Sequence, residues 1–326
     1  MWQGTDAKRD LFRRTNRTVG RAAQVLDRTR VTGREMTVLL QGDKRGVVLP
    51  DGRWLAYAEY GDRLGRPVIV FHGLPGSRLQ RHPDESIALA RSARVIQFDR
   101  PGFGRSDPKP GRTLADWSDD VAAAANAMGL DRFAVAGVSG GGPYALACAA
   151  RLGDRLTRVA VVSGVGPPGS MPGSAMTVPV RIAFALARRT PWVLRGPAAV
   201  VGQLVKSHPR RYIGLVAARM APVDRAILAR PAVRAMFCGD LGEAFRQGPR
   251  AFVEDLSLLA RPWHLPFEAI CTDIVFWHGD DDRMIPVSAA QHLTQAIAGA
   301  RLNACGREGH FLVLDRWGEI LAWLVA

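Results

Sequence analysis

The apolar run Arg132-Phe133-Ala134-Val135-Ala136 passes through Gly137-Val138-Ser139-Gly140-Gly141 directly into the helix-forming stretch Pro143-Tyr144-Ala145-Leu146-Ala147-Cys148-Ala149-Ala150. A short continuous apolar run of this kind reads as a strand buried on both faces. No loop separates it from the helix, so the chain must turn within a few residues. Glycines two positions either side of Ser139 let strand and helix pack without side chains between them. Such a turn pushes Ser139 Oγ clear of the sheet edge. It also leaves the Gly140 N–H at a helix N-terminus, aimed where a negatively charged oxygen would form. The pattern reads as a nucleophile elbow; the plainer alternative is a serine that caps the helix.

A strand feeding a helix in this way belongs to a sheet of repeated βαβ units, and the rest of the chain supplies them. Strands are expected at residues 68–71, 95–98, 133–136, 159–163, 274–277 and near 302–305, with helices between them, for instance at 114–128 and 287–298. Ahead of them, residues 46–62 read as a hairpin: Val47-Val48-Leu49, a turn near Asp51-Gly52, then Trp54-Leu55-Ala56-Tyr57-Ala58-Glu59-Tyr60. The expected fold class is therefore α/β, a mainly parallel, doubly wound sheet. The rhythm breaks between about Met171 and Phe267, where the pattern is helical and punctuated by prolines such as Pro191, Pro209, Pro222 and Pro231. A helical insertion there would be a cap over the site. Ile182-Ala183-Phe184-Ala185-Leu186, Trp192-Val193-Leu194 and Val200-Val201 are expected to form its apolar roof. The resulting division is a basic N-terminal extension over 1–45, a core over 46–169 and 268–326, and a cap over 170–267.

With 326 residues, 47% of them hydrophobic, the chain can build a large core plus an insertion. The net charge of +14 comes almost wholly from Arg, 40 residues against 4 Lys. These are spread along the chain without a nucleic-acid motif, so no nucleic-acid partner is expected. Weak attraction to an anionic membrane or an acidic substrate stays open. Residues 1–35 hold nine basic and four acidic side chains. There Leu11, Thr15, Val19, Ala22 and Leu26 follow helical spacing, fitting a helix packed on its own domain or a partner subunit, or one lying on a membrane surface. The N-terminus lacks the apolar segment of a secretory signal, and no run is long and apolar enough to span a bilayer. Cys148, Cys238, Cys271 and Cys305 show no metal-ligand or C-x-x-C spacing. Cys148 and Cys271 lie in apolar runs and read as buried thiols. A cytoplasmic location is expected, with no cofactor and no metal.

A serine nucleophile on such an elbow takes its partners in the chain order Ser, carboxylate, His. Asp280, Asp281 and Asp282 follow the expected strand at 274–277, where a carboxylate can orient an imidazole and stabilise its cation. Asp282 is the candidate, three after Gly279 and four before Pro286; Asp280 and Asp281 read as a solvated turn or a helix cap. Of seven histidines, His310, after Gly309 and the last strand, is placed to act as base. His72 and His278 precede glycines at strand ends and read as loop braces, His82 as the start of a helix, and His292 as part of a helix face. The loop His72-Gly73-Leu74-Pro75-Gly76-Ser77 would supply a second oxyanion donor, the Leu74 N–H, beside that of Gly140.

Taken together, His72-Gly73-Leu74-Pro75-Gly76, Asp99-Arg100-Pro101-Gly102-Phe103-Gly104-Arg105-Ser106-Asp107, Gly137 to Gly141, Gly279 to Pro286 and Gly309-His310 resemble the α/β-hydrolase fold superfamily over about residues 45–326. The resemblance implies that the Asp99 loop is mainly structural, with Arg100 able to face the pocket. Ser139 in place of Asp argues against a dehalogenase or epoxide hydrolase. Val138 and Gly140 depart from the Gly-Gly-Ser-Trp-Gly of proline iminopeptidases. Gly140, where relatives carry larger side chains, implies extra room beside the nucleophile. The expected activity is hydrolysis of carboxylic esters or related acyl compounds through an acyl-enzyme on Ser139, with an apolar small-molecule substrate. C–C bond hydrolysis, lyase, perhydrolase or cofactor-free oxygenase chemistry on the same constellation, and a non-catalytic ligand-binding protein, are the alternatives.

Overall fold

The computed structural model describes residues 38–41, 44–171 and 178–326. The expected helix around Leu11 to Leu26 lies outside the described residues. Nine strands form one sheet in the order β1-β2-β3-β5-β4-β6-β7-β8-β9. They are β1 (Val38–Gln41), β2 (Lys44–Val48), β3 (Trp54–Gly61), β4 (Arg66–Phe71), β5 (Ala93–Phe98), β6 (Phe133–Val138), β7 (Leu156–Val162), β8 (Ile274–Gly279) and β9 (Arg301–Cys305). The first three run as an antiparallel meander, and β3 joins β5 antiparallel. From β5 across to β9 every pairing is parallel. No strand is expected from the sequence before Val47; β1 and the start of β2 extend the hairpin by one more strand.

Both faces of β4 to β8 are covered, which is why the centres of these strands are apolar runs rather than alternating, whereas the edge strand β9 is largely exposed or half-buried. The period of two still sorts the side chains. Ile69, Phe71, Ile96, Phe98, Val135, Val159 and Phe276 enter one core, with α2 (Asp116–Ala127), α3 (Gly142–Arg151) and α10 (Ser288–Ala296) packed on it. Val68, Val70, Val95, Ala136, Val162 and Trp277 enter the other, under α1 (Ser86–Ala90) and α11 (Val313–Leu324). Smaller residues on β6 in the second core let α11 approach, through Trp317, Ile320 and Leu321.

Between β7 and β8 the described chain is helical: α4 (Val178–Arg189), α5 (Arg195–Ser207), α6 (Pro209–Ala217), α7 (Pro222–Ala229), α8 (Pro231–Ala244) and α9 (Arg250–Leu259), with a short 3₁₀ turn at Pro191–Leu194. Proline opens α6, α7 and α8, where its missing N–H costs nothing and its fixed φ suits the first turn. Ile213, Ile227, Leu228, Phe237, Leu241 and Phe245 form the inner core of this insertion and meet Phe103 and Leu314 of the sheet region. The roof differs from expectation. Ala183, Phe184 and Val201 face inward, but Ile182, Trp192, Val193 and Val200 are exposed. An apolar run on an amphipathic helix cannot point every side chain at one cavity.

The chain crosses from β4 to β5 on one side and then returns through α2 to β6 on the other side of β4. Loops leaving the carboxyl ends of β4 and β6 therefore diverge, opening a crevice at the point where strand order reverses. Leu74 follows β4 and Ser139 follows β6, so the crevice lies between them.

Candidate active site

Ser139 has φ +52°, in the left-handed region that non-glycine residues rarely enter, between the end of β6 and the start of α3. The flanking glycines make this possible by close approach. A Cβ on Gly141 would lie 2.2 Å from the carbonyl oxygen of Phe71, and one on Gly137 would lie 2.4 Å from that of Gly141. Neither space exists for any other residue.

The structure brings Ser139, His310 and Asp282 together from three loops. His310 Nε2 stands 3.0 Å from Ser139 Oγ, and His310 Nδ1 stands 2.7 Å from Asp282 Oδ2. Asp282 Oδ1 accepts the N–H groups of Met284 (2.8 Å) and Ile285 (2.9 Å), which fix the carboxylate. His278 braces this loop, its Nε2 lying 2.9 Å from the Ile285 carbonyl and 3.5 Å from Asp282 Oδ2. Burial works against the His310 cation. The charge and hydrogen bond of Asp282 outweigh it, with a smaller contribution from Asp224, and hold the His310 pKa above its ordinary value. Burial likewise disfavours the Asp282 carboxylate, but His310, His278 and the Ile285 N–H hold its pKa below the usual range. Asp280 and Asp281 are exposed, their N–H groups bonded to the carbonyls of Cys305 and Glu308, so they form the turn.

Leu74 and Gly140 face one another across the crevice. A Cβ on Gly140 would lie 2.8 Å from Leu74 Cβ and 3.3 Å from Leu74 N. The room expected beside the nucleophile is therefore already occupied by Leu74. Gln80 Oε1 accepts the Gly73 N–H at 2.6 Å, holding the loop that presents Leu74.

Four carboxylates of the insertion, which sequence reasoning missed, hold these loops in place. Asp224 on α7 accepts the N–H groups of His310 (3.0 Å) and Phe311 (2.9 Å). Asp240 on α8 accepts the Ser77 N–H and hydroxyl (2.7 and 2.8 Å) and the Gln80 amide (3.0 Å); burial pushes its pKa up to about 7. Glu243 pairs with Arg78, which also pairs with Asp99. Asp255 on α9 accepts Arg100 Nε (2.8 Å), the Tyr144 hydroxyl (2.7 Å) and the Arg112 guanidinium. Arg100 in turn donates to the carbonyls of His72 and Gly73 (3.0 Å for the latter). Arg100 is thus fully buried and braces the Leu74 loop instead of facing the pocket. Asp224 sits in the first turn of a helix, where an acid is ordinary, so nothing local marks it.

His72 lies in this brace, its Nδ1 2.8 Å from the Gly73 carbonyl and its Nε2 accepting the Arg100 N–H at 3.3 Å. Burial, then Arg100, push its pKa well below the ordinary value. His82 sits in the loop before α1, its Nε2 3.0 Å from the Leu314 carbonyl, and His292 is exposed on α10. Cys148 is buried, but Cys271 is exposed, because the chain has left the core at residues 271–273 before β8 begins. Among the described residues, no group of three or more His, Cys, Asp or Glu is placed to hold a metal ion. Nor is any helix among them long and apolar enough to cross a membrane.

Ser139, His310 and Leu74 open onto a cavity of about 600 Å³ whose walls are almost entirely apolar, from Phe184, Phe237, Leu241, Leu256 and their neighbours. The arrangement can deprotonate a serine hydroxyl beside two backbone N–H donors under an apolar roof, the requirements of acyl transfer.

The family model of the alpha/beta hydrolase fold matches residues 66–316. The chain belongs to this family. This alpha/beta hydrolase is 26% identical over 274 residues to the 2-hydroxymuconate semialdehyde hydrolase of Pseudomonas putida, covering 81% of this chain and 89% of that protein. A stretch of 123 residues is 36% identical to the non-heme chloroperoxidase of Streptomyces lividans, covering 37% of this chain and 45% of that one. Among solved structures, a bromoperoxidase from Bacillus anthracis is similar at a TM-score of 0.64 and 19% identity, over 83% of this hydrolase and 95% of that chain.

Proposed function

We propose that this chain is a serine hydrolase that cleaves carboxylic esters or related acyl compounds with an apolar acyl portion. The observation that carries the reading is the 3.0 Å approach of His310 Nε2 to Ser139 Oγ, with Asp282 behind the imidazole, at the wall of an apolar cavity. His310 takes the Ser139 proton as Oγ attacks the carbonyl carbon. The tetrahedral oxyanion accepts hydrogen bonds from the N–H groups of Leu74 and Gly140, each worth about 3 kcal/mol of barrier. Collapse expels the alcohol, which takes the proton from His310, and leaves an acyl-enzyme. Water, deprotonated by His310, then attacks that ester and restores Ser139.

A second reading, a 2-hydroxymuconate semialdehyde hydrolase, draws on the relationship to the Pseudomonas putida enzyme. Such a substrate carries a carboxylate, whereas the cavity walls offer few cations, Arg81 and Arg219 among them. The apolar acyl reading fits the walls better.

Turnover of p-nitrophenyl esters of increasing acyl length, with Ser139→Ala alongside, tests this. Hydrolysis that vanishes in the variant and improves with chain length supports the reading. Silence from the wild type, together with covalent labelling of Ser139 by a fluorophosphonate, overturns the ester reading and favours the second.

A further inference from the structure

Between Asp154 and Asp224 the chain contains no Asp or Glu, while residues 178–219 carry seven Arg and one Lys. All eight side chains are exposed. Arg188, Arg189, Arg195, Lys206, Arg210, Arg211 and Arg219 form no ion pair with another described residue, unlike exposed arginines elsewhere, as in Arg230–Asp315 and Arg316–Glu308. The same stretch holds six of the eight large apolar side chains exposed on the described residues: Val178, Ile182, Trp192, Val193, Val200 and Leu215. Trp192 and Val200 are 66% and 70% exposed.

The two kinds of side chain share helix faces. Arg211 and Leu215 lie one turn apart on α6, and Arg219, two residues beyond its end, donates to the Leu215 carbonyl at 2.8 Å, so an exposed apolar group stands between two cations. Leu215 and Arg219 also line the cavity, as do Pro179 and Val180 of α4 next to exposed Val178. The apolar cavity therefore reaches the surface on the helices that bear this cationic, apolar face.

Charge decides what fits there. A second copy of this chain, docked face to face, would set its cations against those of the first. A nucleic acid would meet the charge but leave Val, Ile and Leu side chains against phosphates. An anionic lipid surface satisfies both: headgroups pair with the guanidinium groups, and the apolar side chains enter the acyl boundary. We propose that α4, the 192–193 turn, α5 and α6 form a docking face for an anionic lipid bilayer, from which acyl substrate enters the cavity. The second half of this statement rests on the acyl-hydrolase reading of Ser139; the docking does not.

Flotation of the full chain with phosphatidylcholine vesicles, with and without phosphatidylglycerol, tests the docking. The variant Arg188→Glu/Arg189→Glu/Arg195→Glu runs in parallel, and a circular dichroism spectrum and thermal melt matching wild type report that it is folded. Wild type is expected to float with anionic vesicles only and to be released by raised salt. The triple variant is expected to bind about 100-fold more weakly, with soluble-ester turnover unchanged. Absence of wild-type binding to anionic vesicles overturns the proposal. So does binding by the variant equal to wild type, which would place the contact elsewhere, in residues 1–37 for instance. Loss of vesicle binding in the folded variant supports the docking face whether or not either protein turns over the ester, so failure of the Ser139 reading is seen separately.

Discussion

The carboxylate of Asp224, carried by the helical insertion, accepts the backbone N–H of His310 at 3.0 Å. The same group takes the Phe311 N–H at 2.9 Å, and the adjacent Gly309 leaves no space for a Cβ, which would lie 2.2 Å from Asp224 Oδ2. The insertion thus sets the position of the imidazole as well as roofing the cavity. In the proposed mechanism Asp224 is a positioning residue. Asp224→Ala strands two buried N–H donors, each costing roughly 1–3 kcal/mol. The expected result is a loss of about 10- to 100-fold in kcat with KM little changed, and partial recovery in Asp224→Asn, which keeps one acceptor oxygen. Because the Asp224 charge helps raise the His310 pKa, the acid limb of the pH–rate profile should also move downward in both variants. An unmoved limb would reduce Asp224 to a purely structural role.

The Asp282–His310 pair sets the pH dependence. In the proposed mechanism His310 acts as base only when neutral, and its pKa is held above the ordinary 6.5. Activity should therefore rise with pH through a midpoint above 6.5 and fall away below it. Asp282→Asn removes the negative charge and presents the wrong tautomer, so the midpoint should drop while kcat falls by about 10⁴-fold. Steady-state kinetics from pH 5 upward would check both effects; a midpoint that stays put would contradict the assigned partner.

Gly140 and Leu74 are matched in size. Gly140→Ala places a methyl 2.8 Å from Leu74 Cβ, and the residue that must yield carries one of the two N–H groups proposed to hold the oxyanion. Displacing one donor costs about 10²- to 10³-fold in kcat. A crystal structure of the variant should show the Leu74 loop shifted, with thermal stability lowered by far less than activity. Full activity would mean that the Leu74 N–H does not hold the oxyanion.

Asp255 compensates two buried guanidinium groups, those of Arg100 and Arg112. Removing a buried carboxylate leaves charge without a partner, at a cost of about 3–5 kcal/mol. Asp255→Ala should accordingly unfold at markedly lower denaturant concentration. Arg100 would also lose its hold on the His72 and Gly73 carbonyls, so any folded fraction should show reduced kcat. Wild-type stability would show that the network is not the link between insertion and oxyanion loop.

Much of this molecule was legible in one dimension. Strands β4 to β8 announce themselves because their central residues are buried on both faces, and short apolar runs of this kind have few other uses. Ser139 stood out because strand, turn and helix follow one another without a gap, and Gly137 is required by the Gly141 carbonyl four residues on, although Gly141 itself is required by the Phe71 carbonyl of β4. His310 and Asp282 could be chosen from chain order and their place after strands. Those signals are local, or depend on the order of elements, and order survives in sequence.

Only the tertiary structure decided what lies around them. Arg100 lies buried against Asp255, 155 residues away in the chain. Gly140 offered room in the sequence, yet Leu74 from a different strand end fills it. Ile182, Trp192 and Val200 looked like a roof and stand in solvent. Cys271 looked buried and is exposed. The reason is common to all four: burial and pairing depend on which distant surface a side chain meets. Local periodicity fixes the faces of a helix or strand, but not what each face is packed against.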